Sequence, residues 1–409
     1  MLKEILHDAV KVYSRIYDIK NLLNKNNIIT FFSYPTYYGN AKAIYEYIRY
    51  NKLDVKYNMD LIWITNRIED YNLLNKLNIK SCYIRNISCL NKYLSSKIHI
   101  ADSLFIRQND VFKSKSTKVI FAWHGIPFKA RFNYCWSDSL NRFTDIALST
   151  STFASTLLSS FLGICLSKFR VTGYPRNDVL LSFDKNKSIL LLNKIYNNIE
   201  NFDKIIIYMP TFRHADKVLG KPGVVEGSPI ENELSPQRLS QLNTIMSKHN
   251  SLLIIKLHHY DEYLFEEQNK GLNELNMTNI KFLPTSSITL LNSDIYNLLP
   301  AFDALITDYS SIFYDYLLLD KPILFYMYDL DNYTKYRGLV VDKEALSWYL
   351  PGPIYRRFED LVSGIESILM GDDLYREERS RVRDLVHKYK DAKSAERVWK
   401  LILNEGLIA

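Results

Sequence analysis

The stretch that most constrains this chain is AFDALITDYSSIFYDYLLLDKPILFYMY, Ala301 to Tyr328. The apolar run Ala304 to Thr307 predicts a buried parallel strand, and Asp308-Tyr309-Ser310-Ser311 a strand-to-helix turn. Ile312 to Leu319 predicts a helix that stops at Asp320-Lys321-Pro322, because proline cannot continue it. Ile323 to Tyr326 begins the next strand. Two parallel strands joined by a helical crossover commit the chain to a parallel sheet. The helix opens on hydroxyls, so free backbone N–H groups and the positive end of its dipole point where a phosphate fits.

Elsewhere short apolar runs alternate with helical patterns. Strands are predicted at Ile28 to Ser33, Leu61 to Thr65, Cys82 to Arg85, Lys118 to Trp123, Ile146 to Ser149 and Arg170 to Thr172, with helices at Asn40 to Arg49 and Leu90 to His99. A second series follows: strands Ile205 to Tyr208, Leu252 to Leu257 and Ile280 to Leu283, an irregular loop Val218 to Pro236, and helix Pro236 to Lys248. Phe358 to Leu403 reads as a helical tail. The polar segment Asp184 to Asp203 reads as a linker. A chain of 409 residues is long for one core. The expected architecture is α/β, with two Rossmann-like doubly wound domains facing a cleft. Residues 1–183 form the first, 184–203 a linker, 204–374 the second, and 375–409 a closing helical tail.

Composition narrows the function. The net charge of +7 is modest and dispersed, which suits an anionic ligand or an acidic membrane surface and not nucleic acid. Cys82, Cys89, Cys135 and Cys165 have no CxxC or zinc spacing and are expected to be reduced, mostly buried thiols. Residues 1 to 26 read as a surface helix, with a membrane-surface helix as the sharper alternative. Lys3, Glu4, His7 and Asp8 break any signal-peptide pattern. The uncharged span Ile146 to Ser167 is diluted by Ser and Thr and amphipathic, so no membrane crossing is expected there.

Polar motifs collect at strand ends, where open α/β sheets bind ligands. His124-Gly125-Ile126-Pro127-Phe128-Lys129 follows one strand; His124 is placed to take a proton or to steady a developing anion, or is structural. Gly173-Tyr174-Pro175-Arg176-Asn177-Asp178 follows another, where Arg176 either holds a phosphate or closes a turn. Thr211 and Arg213 follow a third, as a diphosphate clamp or an interdomain salt bridge. Lys256 and His258 lie on one side of a strand, which suits a phosphoryl group; His259 points to the other. Asp308, Ser310 and Ser311 make the strongest phosphate site. No DxD pair, metal cluster or GxxxxGK[ST] loop accompanies them.

WHGIPFK (123–129), GYPRND (173–178), YMPTFR (208–213), KLH (256–258), ITDYSSIFYDYLLLDKPILFY (306–326), the 333–338 segment ending in Arg337-Gly338, and LPGPI (350–354) together resemble the ordered motifs of the CDP-glycerol glycerophosphotransferase family. That family comprises teichoic-acid primases and polymerases and related capsule enzymes. The match covers roughly residues 118 to 403, with 1 to 117 matching only loosely. It implies a GT-B-like fold and transfer of a polyol phosphate from a CDP-activated donor, CDP-glycerol or CDP-ribitol, to a hydroxyl of a lipid-linked glycan or growing polymer, releasing CMP. By this resemblance His124 is the candidate base on the acceptor side. His258 and Arg213 contact the donor diphosphate, with Thr211 and Lys256 beside them, and Ser310 and Ser311 bind its phosphates. Asp308 holds the turn or a nearby cation, and Arg337 reaches the donor pocket. Lys129 and Arg176 are candidates for acceptor or phosphate binding.

No cofactor is required by motif, and Mg2+ is compatible without a motif for it. Cytoplasmic placement, with peripheral contact on the inner membrane face, is expected. The sequence departs from the family at His259, where proline is common, and lacks the long amino-terminal membrane-targeting domain of the large polymerases. A primase-like or capsule-type transferase is therefore the expectation. A GT-B glycosyltransferase using a nucleotide sugar shares the fold and phosphate site, and an idle anionic-lipid-binding scaffold is the non-enzymatic alternative.

Overall fold

A computed structural model describes residues 26–103, 113–130, 137–213, 233–258, 261–262, 277–291 and 293–408. The expected amino-terminal helix, most of the 218–236 loop, Cys135 and His259 lie outside these residues. The chain divides into two compact units. Unit 1 falls in Met1–His124, Asn133–Asp178 and Val386–Ala409, and unit 2 in Gly125–Phe132 and Val179–Leu385.

Unit 1 is built on seven strands: β1 (Asn26–Phe32), β2 (Asp60–Thr65), β3 (Ser81–Tyr83), β4 (Ser96–Ala101), β5 (Lys118–Phe121), β6 (Ile146–Ser149) and β7 (Phe169–Val171). They lie in the order β3-β2-β1-β4-β5-β6-β7, all parallel. Strands covered on both faces read as continuous apolar runs, as Ile28 to Phe32 does. Helix Gly39–Tyr50 lays Ala41, Ile44, Tyr45 and Ile48 on the sheet at helical spacing. Val398, Trp399 and Ile402 of helix Ser394–Asn404 complete the same core. Asp178 accepts the N–H groups of Ser394 and Ala395, both at 2.9 Å, an anion at the positive end of that helix. Of the expected helical tail, 375–409, the part from Val386 on falls in unit 1 and the part up to Leu385 in unit 2.

Unit 2 carries β8 (Lys204–Met209), β9 (Ser251–Ile255), β10 (Ile280–Phe282), β11 (Ala304–Thr307), β12 (Ile323–Tyr326) and β13 (Ile354–Tyr355). Their order is β10-β9-β8-β11-β12-β13, again parallel throughout. Helices Pro236–Lys248 and Phe358–Met370 cover it through Leu239, Leu242, Met246, Leu361, Ile365 and Ile368. The segment expected to be a linker is packed here. Asp184 caps helix Lys185–Asn193, Leu192 is fully buried, and Ser188 donates to the carbonyl of Asn297 at 2.7 Å.

Three readings of the sequence are corrected. The helix expected over Leu90 to His99 spans Ile87–Ser95, and the chain then enters β4. Ser96 to His99, expected at the end of that helix, instead open the strand beside β1. Cys82 and Cys89 are joined in a disulfide with Cα atoms 5.6 Å apart, one lying in β3 and the other in the first turn of the next helix. Cys165 is exposed. Among the described residues no helix is long and apolar enough to cross a membrane; Ile146 to Ser167 splits into β6 and helix Thr152–Leu162 capped by Ser151.

LPGPI supports the edge of the second sheet through a close approach. A Cβ on Gly352 would lie 2.0 Å from the carbonyl oxygen of Ile323 in β12, and Phe325 donates to the carbonyl of Pro353 at 2.9 Å. Gly352→Ala should therefore cost about 1–3 kcal/mol, read as a lower urea midpoint with unchanged slope; an unaltered midpoint would contradict this packing.

Candidate active site

Strand order reverses between β1 and β4 in unit 1 and between β8 and β11 in unit 2. Such switch points open a crevice at the carboxyl ends of the strands, and the expected motif residues fall there in each unit.

In unit 1, His124 is exposed at the end of the stretch that follows β5. Its Nδ1 lies 3.3 Å from the carbonyl oxygen of Asp102, just past β4. A carbonyl only accepts, so this hydrogen bond places a proton on Nδ1, and in the neutral ring Nε2 is then the accepting nitrogen. The ring packs against Trp123 at a tilt of 34°, centroids 3.8 Å apart. Trp123 has a φ of 51°, a left-handed conformation unusual for a bulky residue, and the backbone there is tied from several sides. Asn40 Nδ2 donates to the carbonyls of Ala122 at 3.1 Å and Trp123 at 2.8 Å. Arg176 donates its N–H to Asn40 Oδ1 at 3.1 Å and its guanidinium to the carbonyl of His124 at 2.7 Å. The structure thus brings Arg176 to His124, holding main chain.

In unit 2, Arg213 and Asp308 form an ion pair at 2.6 Å with both side chains fully enclosed. Arg213 also donates to Asp329 at 3.1 and 3.2 Å and to the carbonyl of Thr211. It lies over the rings of Tyr309, Tyr328 and Tyr333, 5.3 to 5.4 Å from their centroids. Asp308 accepts the N–H of Thr211 at 3.0 Å and of Tyr309 at 2.6 Å. Tyr309 stacks on Tyr333 at 3.6 Å and donates to Asp329 at 2.9 Å. The chain ends of β8, β11 and β12 are pinned together, Asp308 bonding both to the turn N–H of Tyr309 and to Arg213. Among the described residues four of the five guanidinium N–H donors of Arg213 are taken, all within unit 2.

The remaining expected residues divide in two. Lys256 gives its three donors to Leu257 O at 2.6 Å, Glu262 at 2.6 Å and Thr285 Oγ1 at 2.8 Å; burial lowers its pKa against the pull of Glu262. That saturates an ammonium group, so Lys256 braces the turn after β9. His258 is partly exposed and stacks on Phe212, centroids 5.2 Å apart. Thr211 Oγ1 is buried without a hydrogen-bond partner. Ser310 and Ser311 are half-buried ahead of helix Ile312–Tyr316, which continues as a tighter turn to Leu319. Arg337 ends helix Leu330–Tyr336.

Lys129 belongs to unit 2. Phe128 is buried against Phe313, centroids 5.4 Å apart, and Lys129 pairs with Leu339 in an antiparallel bridge. Burial lowers the Lys129 amine to about 8, helped by Arg337 and Arg213 and opposed by Asp308. One short motif therefore supplies His124 to unit 1 and Lys129 to unit 2.

Asn40, Asp102, Asp329 and Asp261 escaped the sequence reading. Asp102 directly follows β4, whose first residues were expected to be helical, and Asp329 follows β12 inside a tyrosine-rich run without a recognisable motif. Asp261, three residues after His258, is fully buried with both carboxyl oxygens unpartnered. Burial pushes its pKa from 3.8 to about 7, against Arg213 and with Asp308. Among the described residues no group of three or more His, Cys, Asp or Glu is placed to hold a metal.

Comparison with known proteins agrees with the motif resemblance. The family model described as CDP-Glycerol:Poly(glycerophosphate) glycerophosphotransferase matches residues 15–404. A teichoic acid glycerol-phosphate transferase of Staphylococcus aureus is 24% identical, the alignment covering 98% of this chain and all of that protein. A teichoic acid glycerol-phosphate primase of Bacillus subtilis is 28% identical over 90% of this chain and 89% of its own. Among solved structures, the wall teichoic acid polymerase TagF superposes with a TM-score of 0.72 at 21% identity, covering 99% of this chain and 95% of that one. The S. aureus MnaA–UDP co-structure gives 0.57 at 13% identity, covering 94% and 98%. These superpositions share the two-sheet fold.

Two stability measurements test this site. Arg213→Ala should cost about 3–5 kcal/mol by leaving Asp308 buried and unpaired, seen by denaturant unfolding; unchanged stability would return Arg213 to the list of free ligands. Asp261 binds its proton more tightly folded than unfolded, so it lowers stability progressively as pH rises from about 4 to about 7 and by a constant amount above. Asp261→Asn should match the parent Tm near pH 4 and exceed it at pH 8. Equal Tm values at both would show that the carboxyl is accommodated.

Proposed function

The chain belongs to the CDP-glycerol:poly(glycerophosphate) glycerophosphotransferase family, and from that premise we propose that it transfers a polyol phosphate from a CDP-activated donor to an acceptor hydroxyl in teichoic-acid-like polymer synthesis. Glycerol phosphate is the polyol unit proposed first, since the two relatives described above carry glycerol-phosphate names; ribitol-phosphate enzymes are also among the relatives. The observation that carries the reading is the orientation of His124, whose Nδ1–H is held by Asp102 so that Nε2 is the proton acceptor.

Attack of a hydroxyl on the β-phosphorus of the donor requires removal of its proton, stabilisation of charge spreading over phosphoryl oxygens, and departure of CMP. His124 takes the proton in this proposal. Unit 2 holds the donor: Lys129, Arg337, His258, Thr211 and the Ser310-Ser311 helix start meet the diphosphate. Arg213 and Lys256 support these groups from behind, because their donors are already engaged. The acceptor is a lipid-linked glycan or growing polymer, and peripheral contact with the inner face of the membrane belongs to the same proposal.

The test is nucleotide release from the full chain with CDP-glycerol, CDP-ribitol and a panel of sugar nucleotides, with and without lipid-linked acceptor. CMP released only from a CDP-polyol, and only with acceptor, is the expected result. UDP or UMP released from a sugar nucleotide would replace this reading with a glycosyltransferase on the same fold. His124→Ala and His258→Ala should each lower turnover about a hundredfold or more with the fold intact; near-normal turnover in the former removes it from the mechanism.

A further inference from the structure

The carboxyl of Asp102 has no role in the reading above, yet it is among the most enclosed ionisable groups at the carboxyl edge of the first sheet, 3% exposed. It docks on the first turn of helix Gly39–Tyr50, where Oδ1 accepts the N–H of Ala41 at 2.9 Å. Gly39 makes room for the other oxygen: with a φ of +69°, a Cβ there would lie 2.4 Å from Oδ2. Burial pushes the acid to about 8, opposed by the N–H of Ala41, by Arg176 and by the N–H of Asn40, so near pH 7 it is mostly the neutral acid.

The main chain of the same residue holds His124. Asp102 donates its N–H to Phe32 O at 3.1 Å, and Ala122 donates to Ala101 O at 2.8 Å. These are the last rungs that tie β4 to its neighbours. The carbonyl of Asp102 lies one step beyond them, and it is this carbonyl that accepts from His124 Nδ1. With the sheet ended, the side chain on Ala41 is what fixes the orientation of that peptide. Asn40, one residue earlier on the same turn, fixes the carbonyls of Ala122 and Trp123. A single helix start therefore anchors both the ring and the backbone of the histidine.

We propose that Asp102 is a positioning residue for His124: its carboxyl, docked on the Gly39–Ala41 turn, sets the carbonyl that keeps the proton on Nδ1 and leaves Nε2 as the accepting nitrogen. This rests on the reading of His124 as the base. It goes beyond that reading by assigning the device that selects the tautomer, which no motif marks.

The experiment is nitrogen-15 NMR of histidine-labelled full chain, run with steady-state CMP release, on the parent protein, Asp102→Asn, Asp102→Ala and His124→Ala. The parent should show His124 protonated on Nδ1. Asp102→Asn mimics the neutral acid and keeps an acceptor for Ala41, so it should retain the tautomer and stay within about threefold of parental turnover, while Asp102→Ala should mix the tautomers and lose about tenfold or more in kcat with the donor KM unchanged. Parental tautomer and turnover in folded Asp102→Ala would overturn the proposal. If that variant does not fold, Gly39→Ala, which drives a methyl group against Oδ2, takes its place with the same two outcomes. Normal turnover in His124→Ala alongside a tautomer change in Asp102→Ala would retire the base and leave the positioning role standing.

Discussion

The second unit depends on one buried ion pair. Arg213 and Asp308 are removed from water entirely, and taking two charges out of water is costly unless every remaining donor and lone pair is used. Here most are used: Asp329, the carbonyl of Thr211 and two backbone N–H groups complete the pair, with four of the five guanidinium N–H donors engaged. Because these partners come from the ends of β8, β11 and β12, satisfying the charge fixes three strand exits at once. The aromatic faces of Tyr309, Tyr328 and Tyr333 around the guanidinium exclude water and strengthen the attraction. The Ser310-Ser311 helix start is aimed by this arrangement, since it follows Asp308 directly.

The first unit solves the same problem with neutral groups. Its strand exits after β4 and β5 are held by Asn40, by the carboxyl of Asp102 and by backbone carbonyls, with Arg176 as a cation among the described residues. The two units thus place irregular backbone at a switch point in different ways. A base needs its ring nitrogen oriented with little charge beside it. A diphosphate needs cations nearby, and a rigid cation network is the natural support.

Much of this was legible in the chain. Strands covered on both faces leave apolar runs that stand out, so β6, β11, β12 and helix Pro236–Lys248 fall on the residues expected. Their alternation with helices was enough for two doubly wound sheets, and the ordered motifs were enough for the family. β4 was hidden because Ile98 to Ala101 follows a helix with no turn residue other than Ser95-Ser96 between them, and with it went Asp102. The partners of Arg213 were hidden for another reason. That a guanidinium lies at a strand tip is visible locally, but which carboxylates meet it depends on β8 and β11 being neighbours although about a hundred residues apart, which no local pattern encodes.

Donor saturation separates the cations that the motifs alone could not rank. Arg213 and Lys256 have committed their N–H groups to carboxylates, carbonyls and a hydroxyl inside unit 2. Turning Arg213 toward a phosphate would strand the buried carboxylate of Asp308, a loss that one new hydrogen bond does not offset. Lys129 differs: no hydrogen bond joins its amine to the described residues, and it is half-buried within the fields of Asp308 and Arg337. Burial works against the charged form of this amine while Asp308 favours it, and the balance lies at about 8.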